Sequence, residues 1–148
     1  MGLILLDSTV IVGFLDADDA LHEVTVAKFK EVVDSGPLVA SVISYAEVMT
    51  GVALGHHPKE NVEGFFDAFV KDLLPVDRPV AARAATLRGK RRSLPMPDAL
   101  ILATADLQAD VDMVLCADGD WPKVKGLNCR VDLLKVDTPG GEDSKESV

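Results

Sequence analysis

The chain is 148 residues long with a formal net charge of −9 and a pI of about 4.7. That balance argues against nucleic-acid binding by charge alone, and fits a protein that holds cations or meets a basic partner. Hydrophobic residues make up 48% and aromatics 5%, so one domain packed with Val, Leu, Ile and Ala is expected, burying roughly 70% of its unfolded surface. No apolar run approaches the roughly 18 residues of a membrane span. The apolar start is too short, and lacks the basic residues, for a secretory leader. Cys116 and Cys129 form no CxxC and have no zinc-type spacing, so they read as buried small hydrophobes in a reducing cytoplasm.

Leu3-Ile4-Leu5-Leu6 is a continuous apolar run ending at Asp7, the pattern of a strand buried on both faces of a parallel sheet. Ligands of open α/β sheets bind beyond the carboxyl ends of strands, so Asp7 is a candidate site residue. The alternative is a turn former. Residues 10–15 suggest one or two helical turns. Asp18 or Asp19 is a natural N-cap for a helix over 20–34, with Leu21, Val24, Ala27, Phe29, Val32 and Val33 inward. Residues 38–42 read as the second strand. Ser44-Tyr45-Ala46-Glu47 opens a helix ending at Gly55, and is also a capping box in which Glu47 would accept from the Ser44 backbone N–H. The adjacent His56 and His57 read as loop residues rather than metal ligands.

Pro58 starts a helix with Val62, Phe65, Phe66, Phe69, Val70 and Leu73 at core spacing. Leu74-Pro75-Val76 reads as a short edge strand, and 79–88 as a further helix. Arg88, Lys90, Arg91 and Arg92 concentrate positive charge in an acidic chain; the plain reading is a solvated face. Asp98 follows Pro97 at the start of a helix over 99–109, where it suits a cap or a dipole partner. Val111 to Cys116 is a strand, followed by Ala117-Asp118-Gly119-Asp120-Trp121, and 130–136 is a last, edge strand. Residues 138–148 are expected to form a disordered tail after a single domain over 1–137.

Alternating strand and helix patterns imply parallel βαβ units and an α/β sandwich. Asp7 and Asp118 would meet at one sheet edge, with the helix starts bearing Glu47 and Asp98 aimed at the same rim. Clustered carboxylates repel one another, and a divalent cation removes that penalty. Oxygen ligands without His or Cys suit Mg²⁺ or Mn²⁺.

Asp7 in LLDSTVIVGFLDADD, Glu47 in SVISYAEVMTG, Asp98 in LPMPDALILATA and Asp118 in VLCADGDW occur in an order that resembles the PIN-domain ribonucleases, and more narrowly the VapC-type toxins of toxin–antitoxin pairs. The resemblance spans about residues 3–135. It implies a three-layer α/β/α sandwich with a central, mainly parallel sheet, and a metal-dependent endoribonuclease leaving a 5′-phosphate and a 3′-hydroxyl. It makes Asp7, Glu47, Asp98 and Asp118 the acidic quartet around Mg²⁺ or Mn²⁺, with Ser8 and Asp120 in support. Arg88, Lys90, Arg91 and Arg92 become candidates for the RNA backbone. It further implies a cytoplasmic homodimer restrained by an antitoxin, a basic segment at the acids and an apolar one in a groove lined by Val12, Phe14, Leu15, Val48 and Val52. Cys116 departs from the threonine often found there in related sequences. The alternatives are a PIN-like protein that binds RNA or a partner without catalysis, and an aspartate-based phosphatase, although the second aspartate that a haloacid-dehalogenase-type phosphatase needs is here Thr9.

Overall fold

The computed structural model of the protein describes residues 2–136, so the expected tail at 138–148 lies outside the described residues. Its strands are β1 (Leu3–Leu6), β2 (Leu38–Ser41), β3 (Val70–Leu74), β4 (Val111–Cys116) and β5 (Arg130–Leu133). They form one sheet in the order β3-β2-β1-β4-β5, with every pairing parallel. The apolar run at the start of the chain is thus the central strand, and its lack of alternation follows from helices covering both faces.

The helices are α1 (Ser8–Leu15), α2 (His22–Val32), α3 (Val42–Ala53), α4 (Lys59–Phe69), α5 (Arg78–Lys90) and α6 (Met96–Leu107). Register sorts the sheet side chains between two cores. Ile4 lies opposite Leu38 and Met113, and Leu6 opposite Ala40 and Leu115; these pack with Val10, Ile11, Phe29, Val48, Val62, Phe65 and Phe66 of α1 to α4. Leu5 lies opposite Val39 and Val114, and these pack with Val80, Ala84 and Leu87 of α5 and Ala99, Ile101 and Leu102 of α6. The small alanines let α5 and α6 approach closely. The result is the three-layer α/β/α sandwich.

Several boundaries differ from the sequence reading. The helix expected over 20–34 starts at His22, because Asp19 Oδ1 accepts from the Leu21 N–H and Asp16 Oδ1 from the Asp18 N–H, closing two turns before the helix. Val33 follows that helix and is 60% exposed. The third strand is Val70–Leu74 rather than 74–76, so Val70 and Leu73 belong to a strand, and Phe69 is 48% exposed at the helix end. Helical spacing continued across Val70 by coincidence; β3 does lie at an edge. The helix expected over 79–88 runs from Arg78 to Lys90; it starts earlier because Asp77 Oδ1 caps it, 3.1 Å from the Val80 N. The final strand is shorter than 130–136. Gly55 at φ +80° follows α3, a left-handed position that glycine adopts without strain.

One buried ion pair ties the loop before β5 to the helical layer. The Asp106 carboxylate, buried in α6, accepts from Arg83 Nε at 2.6 Å and from the Asn128 N–H at 2.7 Å, while Arg83 Nη2 donates to the Gly126 carbonyl. No helix among the described residues is long and apolar enough to cross a membrane.

Candidate active site

The chain runs from β1 outward to β2 and β3, then returns to β4 on the other side of β1. The direction of winding reverses between β1 and β4, which opens a crevice beyond their carboxyl ends. Asp7 follows β1 directly and Asp118 stands two residues beyond β4. The Asp7 N–H donates to the Leu115 carbonyl at 3.0 Å, fixing the first acid against the neighbouring strand.

Asp7 is the N-cap of α1 and is 3% exposed. Its Oδ1 accepts from the Ser8 N–H at 2.7 Å and its Oδ2 from the Thr9 hydroxyl at 2.6 Å. Burial pushes its carboxyl up to about 6; the Thr9 and Ser8 donors pull the other way, and the charges of Asp98 and Glu47 add to the rise. Asp7 therefore caps a helix and is at the same time a costly buried carboxylate among other acids.

Glu47 lies in the second turn of α3. The expected capping box does not form. The helix begins at Val42 with Ser41 as its cap, whose Oγ accepts from the Ile43 N–H at 3.0 Å. Ser44 is therefore the third residue of the helix rather than its cap. Glu47 Oε1 instead accepts from the Ser8 hydroxyl at 2.9 Å, and the same hydroxyl lies 3.5 Å from Asp7 Oδ1. Ser8 thus bridges two of the four acids.

Asp98 occupies the first turn of α6, after Pro95 and Pro97. Burial raises its carboxyl pKa, the Trp121 N–H opposes that at 3.0 Å from Oδ2, and the charge of Asp118 adds to the rise. Asp118 Oδ1 accepts from the Asp120 N–H at 2.8 Å, which folds the acidic turn back on itself. The four acids are therefore linked in sequence: Glu47 to Asp7 through Ser8, and Asp7 to Asp98 to Asp118 through their fields. Among the described residues, no three His, Cys, Asp or Glu side chains stand close enough together to hold a metal ion as placed. In chemistry the donors fit a hard cation, and buried Asp7 would gain most from one.

Comparison with known proteins joins this geometry to a family. The PIN domain model matches residues 4–127. The chain belongs to the PIN domain family. FitAcB from Neisseria gonorrhoeae is 27% identical with a TM-score of 0.67, over 86% of this chain and 95% of that one. VapBC2 from Rickettsia felis, solved bound to a DNA fragment from their promoter, is 13% identical with a TM-score of 0.71 over 90% and 99%. VapBC-5 from Mycobacterium tuberculosis is 23% identical with a TM-score of 0.55 over 92% and 100%. No curated protein matches the chain.

Around these four acids, the remaining candidates divide. The Asp120 side chain bonds to none of the four acids, although its backbone N–H donates to Asp118; its carboxylate pairs with Arg91 Nη2 at 3.4 Å and lies 3.8 Å from Lys123 Nζ. Arg88 donates from Nε to the Leu94 carbonyl at 2.7 Å and from Nη2 to the Arg92 carbonyl, closing the turn that leads to α6. Lys90 and Arg92 are exposed and in no ion pair among the described residues. Cys116 is buried, with its thiol pushed up to about 12 mainly by burial, so it stays protonated and is no nucleophile. Both cysteines are free. His56 and His57 sit after the helix end with rings 6.3 Å apart and nearly perpendicular, as loop residues.

Sequence reasoning missed Thr9 and Trp121, the side chains that hold Asp7 and Asp98. For Thr9 the signal was available, since an aspartate before two hydroxyl residues is a helix-start pattern. Nothing local pairs Trp121 with an acid 23 residues earlier.

Proposed function

We propose that this PIN-domain chain is a Mg²⁺- or Mn²⁺-dependent endoribonuclease and the toxin of a toxin–antitoxin pair. The observation that carries the reading is Asp7, a buried carboxylate at the end of the central strand, with Glu47 and Asp98 in its field. A buried acid held unpaired by any basic side chain is costly unless a cation joins it. Asp7, Asp98 and Asp118 would hold the ion, and Glu47, fixed by Ser8, would complete the acidic rim. When bound, the cation supplies an activated water and neutralises charge developing at phosphorus.

The chain's own residues supply position. Thr9 and the Ser8 N–H fix both oxygens of Asp7, and Ser8 orients Glu47. Lys90 and Arg92, exposed beside the turn into α6, would meet RNA phosphates. The products follow the family resemblance, a 5′-phosphate and a 3′-hydroxyl. The FitAcB and VapBC likenesses support an antitoxin partner; a cytoplasmic homodimer is what the family resemblance implies. Val12 and Val48 line a groove with Ser8, Thr9, Leu21 and Glu47, about 260 Å³ in volume, next to the acids. Phe14, expected in that groove, instead stacks on Phe29 at 4.7 Å and belongs to the core.

The test is RNA cleavage by the purified chain with Mg²⁺, with chelator, and by Asp98→Asn. Asp98 makes no cap hydrogen bond in α6, contrary to the capping role the sequence allowed, and asparagine can still accept from Trp121, so the variant should fold yet lose cleavage. Cleavage retained in the pure variant, or insensitive to chelator, would overturn the assignment. A chain that binds RNA without cleaving it would be a PIN-fold binding module.

A further inference from the structure

Trp121 is the only tryptophan in the chain and is 1% exposed, a large apolar side chain in the core under α5 and α6. Its ring could be held there by packing alone. The N–H, however, is directed to Asp98 Oδ2 at 3.0 Å, and a buried indole N–H needs such an acceptor. The backbone fixes where the indole sits. The Trp121 N–H donates to the Asp118 carbonyl at 3.2 Å, and the same residue's carboxylate accepts from the Asp120 N–H. The turn bearing Asp118 therefore carries the group that holds Asp98.

The kind of donor matters. Asp120, two residues beyond Asp118, faces two cationic side chains, Arg91 and Lys123. Asp98 is held by a neutral donor, which fixes a carboxylate without cancelling its charge. One oxygen is occupied and the other is left for a cation. We propose that Trp121 is a positioning residue for the cation site, locking the Asp98 carboxylate through its Nε1–H and coupling it to the turn that carries Asp118. This inference rests on the cation-binding reading given above and adds the group that orients one of its ligands. Donors behind metal ligands typically set affinity or activity by about 10- to 100-fold.

Trp121→Phe keeps most of the apolar volume and removes the donor. By calorimetry it should bind Mn²⁺ about tenfold more weakly than wild type, while melting cooperatively. Its kcat at low Mg²⁺ should fall with the KM for RNA unchanged, and high Mg²⁺ should restore it, a rescue that a packing defect would not show. The wild-type chain needs no substitution for the second readout: its single tryptophan should change emission saturably with Mg²⁺, at the midpoint found by calorimetry. Wild-type binding with Trp121→Phe within twofold, or silent tryptophan emission at saturating Mg²⁺, would overturn the lock alone. A wild-type chain that binds neither ion would overturn the cation reading and the lock with it.

Discussion

Asp7 shows how one residue can serve the fold and the chemistry at opposed costs. Its folded pKa, about 6, lies above the ordinary 3.8, chiefly because burial penalises the charge. A raised folded pKa contributes stability fully below about pH 4, and that contribution is lost as pH rises through about 6. The shift corresponds to about 3 kcal/mol. Metal-free wild type should therefore lose stability between pH 4 and pH 6, while Asp7→Asn, whose amide can still accept from the Ser8 N–H, should be nearly flat there and melt higher at pH 7. Thermal melts in chelator across that range check it; parallel curves for the two proteins would refute it. Glu47 gives a second contrast. Since it caps nothing, Glu47→Gln should leave melting within about 0.5 kcal/mol, as for other exposed substitutions, yet weaken Mn²⁺ binding. Equal affinities by calorimetry would remove Glu47 from the site.

At the scale of elements, the sequence is most informative where one local rule acts alone. β1 and β4 were readable because uninterrupted apolar runs bounded by acids fit few other structures. The start of α3 was not, because Ser41 and Ser44 both satisfy capping rules, and only the length of β2 decides between them. The β3 boundary failed for a related reason: Val70 and Leu73 fit a helical period and a strand equally. The acids themselves were legible from motif and placement, whereas Thr9, Trp121 and the Asp106–Arg83 tie depend on tertiary approach. The basic run shows the same limit, since sequence cannot tell a turn-closing arginine from an exposed one. Arg88 closes the turn, and Lys90 and Arg92 face solvent. Replacing Lys90 and Arg92 with Ala should weaken RNA binding and flatten its salt dependence by about 0.7 in log–log slope per lost phosphate contact. Binding titrations over a salt series measure this, and an unchanged slope would place the RNA elsewhere.

For the whole molecule, the acidic balance and the site pull in opposite directions. A chain of net charge −9 repels RNA at long range, so under the proposed function substrate capture would depend on a cation at the acids and on exposed basic groups such as Lys90 and Arg92. The same field attracts a basic protein. An antitoxin with an arginine at the crevice could pair bidentately with these carboxylates, and an adjoining apolar segment could fill the groove at Val12 and Val48. Such a partner would compete with both cation and RNA for one location. Co-purifying the chain with the product of its neighbouring reading frame should yield a complex that does not cleave RNA in Mg²⁺. Val48→Asp, which places a charge on the groove wall beside Glu47, should weaken that complex. The wall residue is 1% exposed, so Val12→Asp, on the half-buried side of the same groove, is the safer companion variant. Loss of the complex with nuclease activity retained would place the partner in the groove. A complex that forms normally with Val12→Asp, or that cleaves RNA at the free enzyme's rate, would refute inhibition by occupation of this crevice.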